Sequence, residues 1–389
     1  MDRTIGSNFV IFLTDYHKFT PLQSSLIFAV FSLVVCLIDF PLGNIADIYG
    51  RKKILILGFA SYSLGMLIFG LANSILYFII GAVLEAIGMA LISGVPVSWY
   101  YDEVKAEQKE GESLNVFALQ KWWGHLLLLL TGPLVGILIN YNPNATFICS
   151  SMFGFISIVL ISVVMKENYG EIKDEKRDAR SSWNLFKQNI TSLKKNQKFI
   201  DYVIADIGEI VYFFGFIFIW QQVYLASGFS KVNIGFVYTA MIFLTGLGGG
   251  VLALKQIKKL PLEKVYFISG VGVVVGLVLC SLASFNSWFF LGGAVIFEFC
   301  LGTVLTINNE ITNRIVDKES RTAFLSAISS IAGLFTTITY VMHGLFSEKL
   351  SFGVIFIICA VAAIVSLSKK HSILLITTKS AITINFSDK

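Results

Sequence analysis

Ionisable side chains set inside long apolar runs are where this sequence could do chemistry. A charge at bilayer depth costs a few kcal/mol on insertion scales and persists only with a partner or a task. Glu85 stands in the middle of such a run, FIIGAVLEAIG, and Glu298 lies within another. Asp206 and Glu209 stand at i and i+3, which puts both carboxylates on one face of a helix, with Phe213 and Trp220 further along it. His125 follows Gln120, Lys121 and the pair Trp122-Trp123. A carboxylate so placed could take up and release a proton, the chemistry of a coupling step, and Glu85 and Glu209 are the leading candidates. Structural roles compete at every position. Lys121 could pair with Glu85 between neighbouring helices, Asp206 is near enough to the end of its run to be solvated, and His125 could hydrogen-bond backbone.

A second constellation is Gly43-x-x-x-Asp47-x-x-Gly50-Arg51-Lys52, directly after an apolar run. Gly43 lets a helix end lie close to a neighbour, and Gly50 permits a turn that a Cβ would hinder. Asp47 at a membrane edge needs a cation or the positive end of a helix. Arg51 and Lys52 suit anionic headgroups or carboxylate partners. Asp39, two residues before Pro41, lies close enough to belong to the same arrangement. A partial repeat, Gly250 followed by Lys258-Lys259, stands at the equivalent loop of the second half, without the Asp or the second Gly. A purely topogenic basic turn would explain Arg51 and Lys52, but it would not call for Asp47 or the glycines.

The kind of helix that carries these groups follows from composition. Only 14% of the 389 residues are charged, against about 25% for soluble domains. With 55% apolar residues and 34 Phe, the chain lacks the polar surface of a water-soluble globule. Apolar runs at 22–42, 54–72, 75–98, 115–139, 145–165, 200–225, 232–254, 264–284, 288–307, 322–345 and 350–367 are each long enough to cross a bilayer, which takes about 20 residues. Ahead of them, Ser7 to Tyr16 covers about half a bilayer at ~1.5 Å per residue. Of the 30 lysines and arginines, all but Arg3, Lys18, Lys231 and Lys349 fall in or beside alternate breaks or the C-terminal tail. Such alternation makes those loops cytoplasmic. The basic residues are therefore explained by the membrane, and no nucleic acid is implied. Cys36, Cys149, Cys280, Cys300 and Cys359 lie in apolar runs without C-x-x-C spacing and read as small hydrophobes. No nucleophile–base pair, metal-ligand cluster or G-x-x-x-x-G-K-[ST] loop stands out, so neither an enzyme nor an ATP-driven pump is expected, and no cofactor or metal.

The Gly43–Lys52 stretch resembles the signature loop between spans 2 and 3 of the major facilitator superfamily, in order, spacing and loop. The resemblance in span layout covers the chain from about residue 8 to 370. It implies an all-α membrane protein with the major facilitator fold: two six-helix bundles, about 11–12 transmembrane helices in all, the first truncated. The implied division is an N-terminal bundle at 1–165, a cytoplasmic linker at 166–199, a C-terminal bundle at 200–368 and a weakly structured cytoplasmic tail at 369–389. In the family the Asp of the signature docks on the start of span 11 and the Arg meets an acid at the cytoplasmic end of span 4. The matching positions here are Ser320 to Thr322, with Arg321 among them, and Asp102 or Glu103. Such a latch would favour the outward-open state. Gly132-Pro133-x-x-Gly136 in span 5 resembles the core of a motif of the superfamily's exporters, and a Gly-Pro pair there loosens the helix and allows close packing. Ile137 stands where a further glycine is expected. Ala82 stands where exporters often carry an intramembrane Arg, and this leaves the direction of transport open.

The resemblance implies a secondary transporter of a small molecule by alternating access, coupled to protons, with export of amphipathic or toxic compounds leading. Uptake by symport is the alternative. A sensor on the same fold, signalling through the linker, is a third reading. The protein is expected in the plasma membrane, as a monomer in contact with lipid. By the same resemblance Phe9 to Tyr16 is the cytoplasm-distal end of span 1, so that either translation begins upstream or the chain is a shortened relative with a defective first helix and weak or absent transport.

Overall fold

The computed structural model describes residues 9–42, 46, 49–106, 127, 131–139, 141–168, 197–315 and 321–387. The described residues are helices and short connections. A turn of α-helix, Phe9–Ile11, passes into a π-helical turn, Phe12–Tyr16. Then follow α1 (Pro21–Leu42), α2 (Arg51–Leu71), α3 (Ile75–Ile92), α4 (Val95–Ala106) and α5 (Pro143–Val164), with residues 131–139 also helical before α5. The remainder is α6 (Gln197–Ala226), α7 (Ile234–Gly250), α8 (Leu262–Ser281), α9 (Ser287–Ile315), α10 (Arg321–Lys349) and α11 (Phe352–Ser387). Among the described residues, ten helices are long and apolar enough to cross a membrane. Only such fully hydrogen-bonded backbones are tolerated in hydrocarbon. The chain is a multi-pass membrane protein.

Two helix ends differ from the apolar runs. The run at 75–98 is broken after Ile92: Gly94 takes φ +72°, and α4 starts again at Val95 with Pro96 in its first turn. The tail after 368, expected to be weakly structured, is instead a continuation of α11 to Ser387. Its first residues are held by charge. Lys369 Nζ donates to Asp201 Oδ1 at 2.7 Å, and Lys370 is buried against Asp206 and Glu209 of α6.

The chain divides into two compact units. The first comprises Met1–Ser182 with Lys231–Thr239, the second Trp183–Ser230 with Ala240–Lys389. The boundary thus falls within α7. In the first unit α2 packs on α3 and α5, and α1 on α3. At one end of it Phe9, Phe12, Phe69, Phe78 and Phe147 form an aromatic cluster, with Phe12 and Phe147 centroids 4.4 Å apart. The short N-terminal turn is pinned into this cluster, and Asp15 pairs with Lys231. In the second unit α6 packs on α10 and α11, and α8 on α9 and α11.

Candidate functional site

The second unit carries a buried charge cluster built from four helices. The i, i+3 spacing on α6 sets Asp206 and Glu209 on one face, and that face meets Lys370 of α11. The lysine side chain is 1% exposed. Its ammonium pairs with Glu209 Oε2 and lies 3.4 Å from Asp206 Oδ1. Asn308 of α9 donates from Nδ2 to the same Glu209 Oε2 at 2.6 Å, and its Oδ1 accepts from the Tyr266 hydroxyl of α8 at 3.0 Å. Tyr202, one turn before Asp206, holds its ring 5.2 Å from the ammonium and shares a 2.5 Å hydroxyl bond with Thr312. Two carboxylates facing one ammonium leave one negative charge in excess. Such a cluster can be neutralised by a single added proton, which makes it a candidate coupling site.

The first unit carries a different arrangement, around the N-terminus of α2. Gly50 precedes the helix with φ +103° and offers no side-chain cap. The cap comes from the segment just after α5: Glu167 Oε1 accepts from the Lys52 amide at 2.8 Å, and Oε2 from the Lys53 amide at 3.3 Å. A carboxylate there satisfies two orphan donors and the positive end of the helix dipole. A Cβ on Gly50 would lie 2.6 Å from the Glu167 carboxyl carbon, so the glycine is required twice, by its φ and by the carboxylate. Arg51 pairs with Asp102 of α4 and donates to the Ser98 carbonyl at 3.0 Å. Its own amide donates to the Asn168 carbonyl at 3.1 Å. Asn168 Nδ2 donates to Glu103 Oε1 at 3.0 Å, and the Trp99 indole donates to the Lys166 carbonyl at 2.9 Å. Residues 166–168 therefore clamp the start of α2 against α4. Beneath them Ala46, Ile54, Leu55, Val95 and Met165 form an apolar floor.

The other candidates are dispersed. Glu85 is buried in α3, where Gly65 of α2 comes so close that a Cβ there would lie 2.8 Å from the Glu85 amide. Glu298 accepts from Thr245 of α7 at 2.5 Å, and Thr303 of α9 bonds the Gly248 carbonyl at 2.7 Å. Gly132, Pro133 and Gly136 lie on the helical stretch 131–139. Gly132 and Gly235 of α7 back directly on each other, and a Cβ on Gly136 would lie 2.6 Å from the Val232 carbonyl. Gly43, Asp47, Lys121 and His125 lie outside the described residues, as do the side chains of Asp39 and Arg321.

Nothing in the residue pattern alone singles out Lys370, Glu167 or Asn168. Lys370 belongs to Ser368-Lys-Lys-His371 after the last apolar run, where a basic pair reads as a headgroup anchor. The available signal was the uncompensated acid pair at 206 and 209, which requires a cation from elsewhere. Glu167 and Asn168 read as the first residues of a polar linker.

The family model described as Major Facilitator Superfamily matches residues 1–262 and 210–380. An uncharacterized MFS-type transporter of Methanocaldococcus jannaschii is 22% identical over 363 residues, 91% of this chain and 87% of that protein. An uncharacterized transporter of Buchnera aphidicola is 25% identical over 168 residues, 43% of this chain and only 41% of that protein's length. The multidrug transporter MdfA of Yersinia pestis is 30% identical over 149 residues, 38% of this chain and 35% of that protein. Among solved structures, the nucleoside transporter NupG superposes with a TM-score of 0.75 at 10% identity, over 95% of this chain and 96% of that one. A POT family transporter superposes with a TM-score of 0.71 at 12% identity, over 94% and 91%.

Proposed function

The chain belongs to the major facilitator superfamily, whose members are transporters and not enzymes, and on that premise we propose that it exports amphipathic or toxic small molecules in exchange for protons. The observation that carries this reading is the Asp206–Glu209–Lys370 cluster, with its excess negative charge inside membrane-crossing helices. Glu209 is the proton carrier in this reading, and Asp206 and Lys370 set its two states. The Gly132-Pro133 stretch against α7 and the partial similarity to a multidrug transporter support export. The Arg51–Asp102 pair and the Glu167 cap serve as one side of a cytoplasmic gate, and the plasma membrane is the site of action, with the basic loops inside. Uptake by symport is the second reading, favoured by Ala82 standing where exporters carry an arginine.

Growth of cells overproducing the protein, across a panel of toxic compounds and beside Glu209→Gln and Asp47→Asn, tests this. Protection that both variants lose, and that a protonophore abolishes, is the expected result. Heightened sensitivity would replace export with uptake, and unchanged growth with the protein confirmed in the membrane would remove both.

A further inference from the structure

Three polar groups along one seam of the second unit are buried without a hydrogen-bond partner among the described residues. They are the Tyr212 hydroxyl on α6, the Ser366 hydroxyl on α11 and Nδ1 of His343 on α10. Tyr212 and Ser366 are 0% exposed and His343 is 1% exposed. The three are ordered along the helices. Tyr212 lies one turn beyond Glu209 on α6, and Ser366 one turn before Lys370 on the antiparallel α11. A Cβ on Gly208 would lie 3.0 Å from Ser366 Cβ, so α6 and α11 are in close contact at this level. Further along, His343 Nε2 lies 3.2 Å from the Val211 carbonyl and its ring packs on Gly215. From Glu209 to Gly215 the seam runs about 9 Å along the helix axis.

A hydroxyl or an imidazole nitrogen buried unpaired gives up its hydrogen bonds to water with nothing in return. Three in succession call for an occupant that both donates and accepts, and water is the smallest that does. We infer that this seam, from Lys370 and Glu209 through Ser366 and then Tyr212 to His343, is a hydrated proton path within the second unit. It loads and unloads Glu209, and so rests on the proton-coupled reading above.

The receiving atom can be named. Glu209 Oε2 is bonded by Lys370 and Asn308, while Oε1 makes no hydrogen bond among the described residues. A proton relayed from a water adds to Oε1. Lys370 stays an ammonium and its pairing passes to Asp206, 3.4 Å away. The cluster goes from one net negative charge to none, and the reverse step returns the proton to the water. The groups that face this exchange are Tyr202, Asp206 and Tyr212 on α6, Tyr266 on α8, Asn308 on α9 and Lys370 on α11, with His343 on α10 at the far end beside Val211.

Infrared difference spectra of the full chain in lipid nanodiscs, stepped in pH and then moved to heavy water, test the path. The expected result is a protonated-carboxyl band that disappears in Glu209→Gln and persists in Asp206→Asn. In the double variant Tyr212→Phe with Ser366→Ala, that band should exchange its proton for deuterium about tenfold more slowly. Tyr212→Phe alone keeps the ring packing, and it should slow exchange in the same direction even if the double variant folds poorly. A band that survives Glu209→Gln, or an exchange rate unchanged in both Tyr212 variants, overturns the path. Resistance that survives a protonophore would remove the coupled-export reading and leave the infrared result to decide the path.

Discussion

The Arg51 clasp of the first unit and the Lys370 cluster of the second both set a buried cation against carboxylates, but they are closed in different ways. Arg51 is 7% exposed while its partner Asp102 is 39% exposed, so water and salt reach the pair from the acid side. Around it, most bonds end on backbone: the Lys52 and Lys53 amides on Glu167, the Ser98 carbonyl on Arg51, the Lys166 carbonyl on Trp99. In the cluster Lys370 is 1% exposed, Asp206 21% and Glu209 15%, and the bonds run between side chains of α6, α8, α9 and α11. In the clasp, water that reaches Asp102 can replace part of what a lost contact supplied. In the cluster the ammonium is shut off from water and the bonds have a side chain at both ends, so losing one partner strands the others.

Truncating Lys370 should therefore have the largest effect. Lys370→Met leaves two half-buried carboxylates facing each other without their cation and should cost about 3–5 kcal/mol, read as thermal unfolding of the purified full chain. Adding Glu209→Gln should restore much of that loss, since it removes one stranded charge. If Lys370→Met costs no more than a substitution in the clasp, the contrast between the regions fails.

Gly50→Ala comes next. It forces a side chain into φ +103° and against the Glu167 carboxylate, at about 1–3 kcal/mol. Glu167→Ala removes only the cap of α2 and should cost about 0.5–2 kcal/mol. Because the two act through one contact, the double variant should lose less than the sum of the singles. Full additivity would mean that the cap and the glycine are unrelated.

The smallest effect belongs to His17, in the loop beside the N-terminal aromatic cluster. Its ring packs on Phe12, Tyr16, Phe19 and Phe78, and burial lowers its pKa below the ordinary 6.5. The folded chain thus binds this proton less readily than the unfolded one. Its contribution is complete above about pH 6.5, is lost as the pH falls through the window below that value, and levels off once the folded imidazole is also protonated. His17→Phe should flatten this part of the stability–pH curve, measured by unfolding at a series of pH values. An unchanged slope would assign the acid sensitivity of the first unit to other groups.

These regions also differ in how far they can be read from residues alone. The membrane-crossing helices follow from apolar runs of sufficient length, because hydrocarbon admits little else. The break at Gly94 needed the backbone, since nothing in the run 75–98 interrupts its hydropathy. The clasp was half readable: the Gly50-Arg51 spacing marks a turn and a basic anchor, whereas Glu167 stands 115 positions from the amide it caps.

Residue order alone is enough to establish that this protein crosses the membrane many times, that its family signature sits after the first full-length apolar run, and that Asp206 and Glu209 share a helix face. Those facts rest on local periodicity, composition and spacing. What answers the acid pair follows from the way the helices pack. Lys370 lies 161 positions from Glu209, and its neighbour Lys369 is chemically identical yet pairs with Asp201 instead. Which of two adjacent lysines is buried depends on the rotation of α11 against α6. That rotation is set by packing along the whole interface of the two helices and not by the lysines themselves.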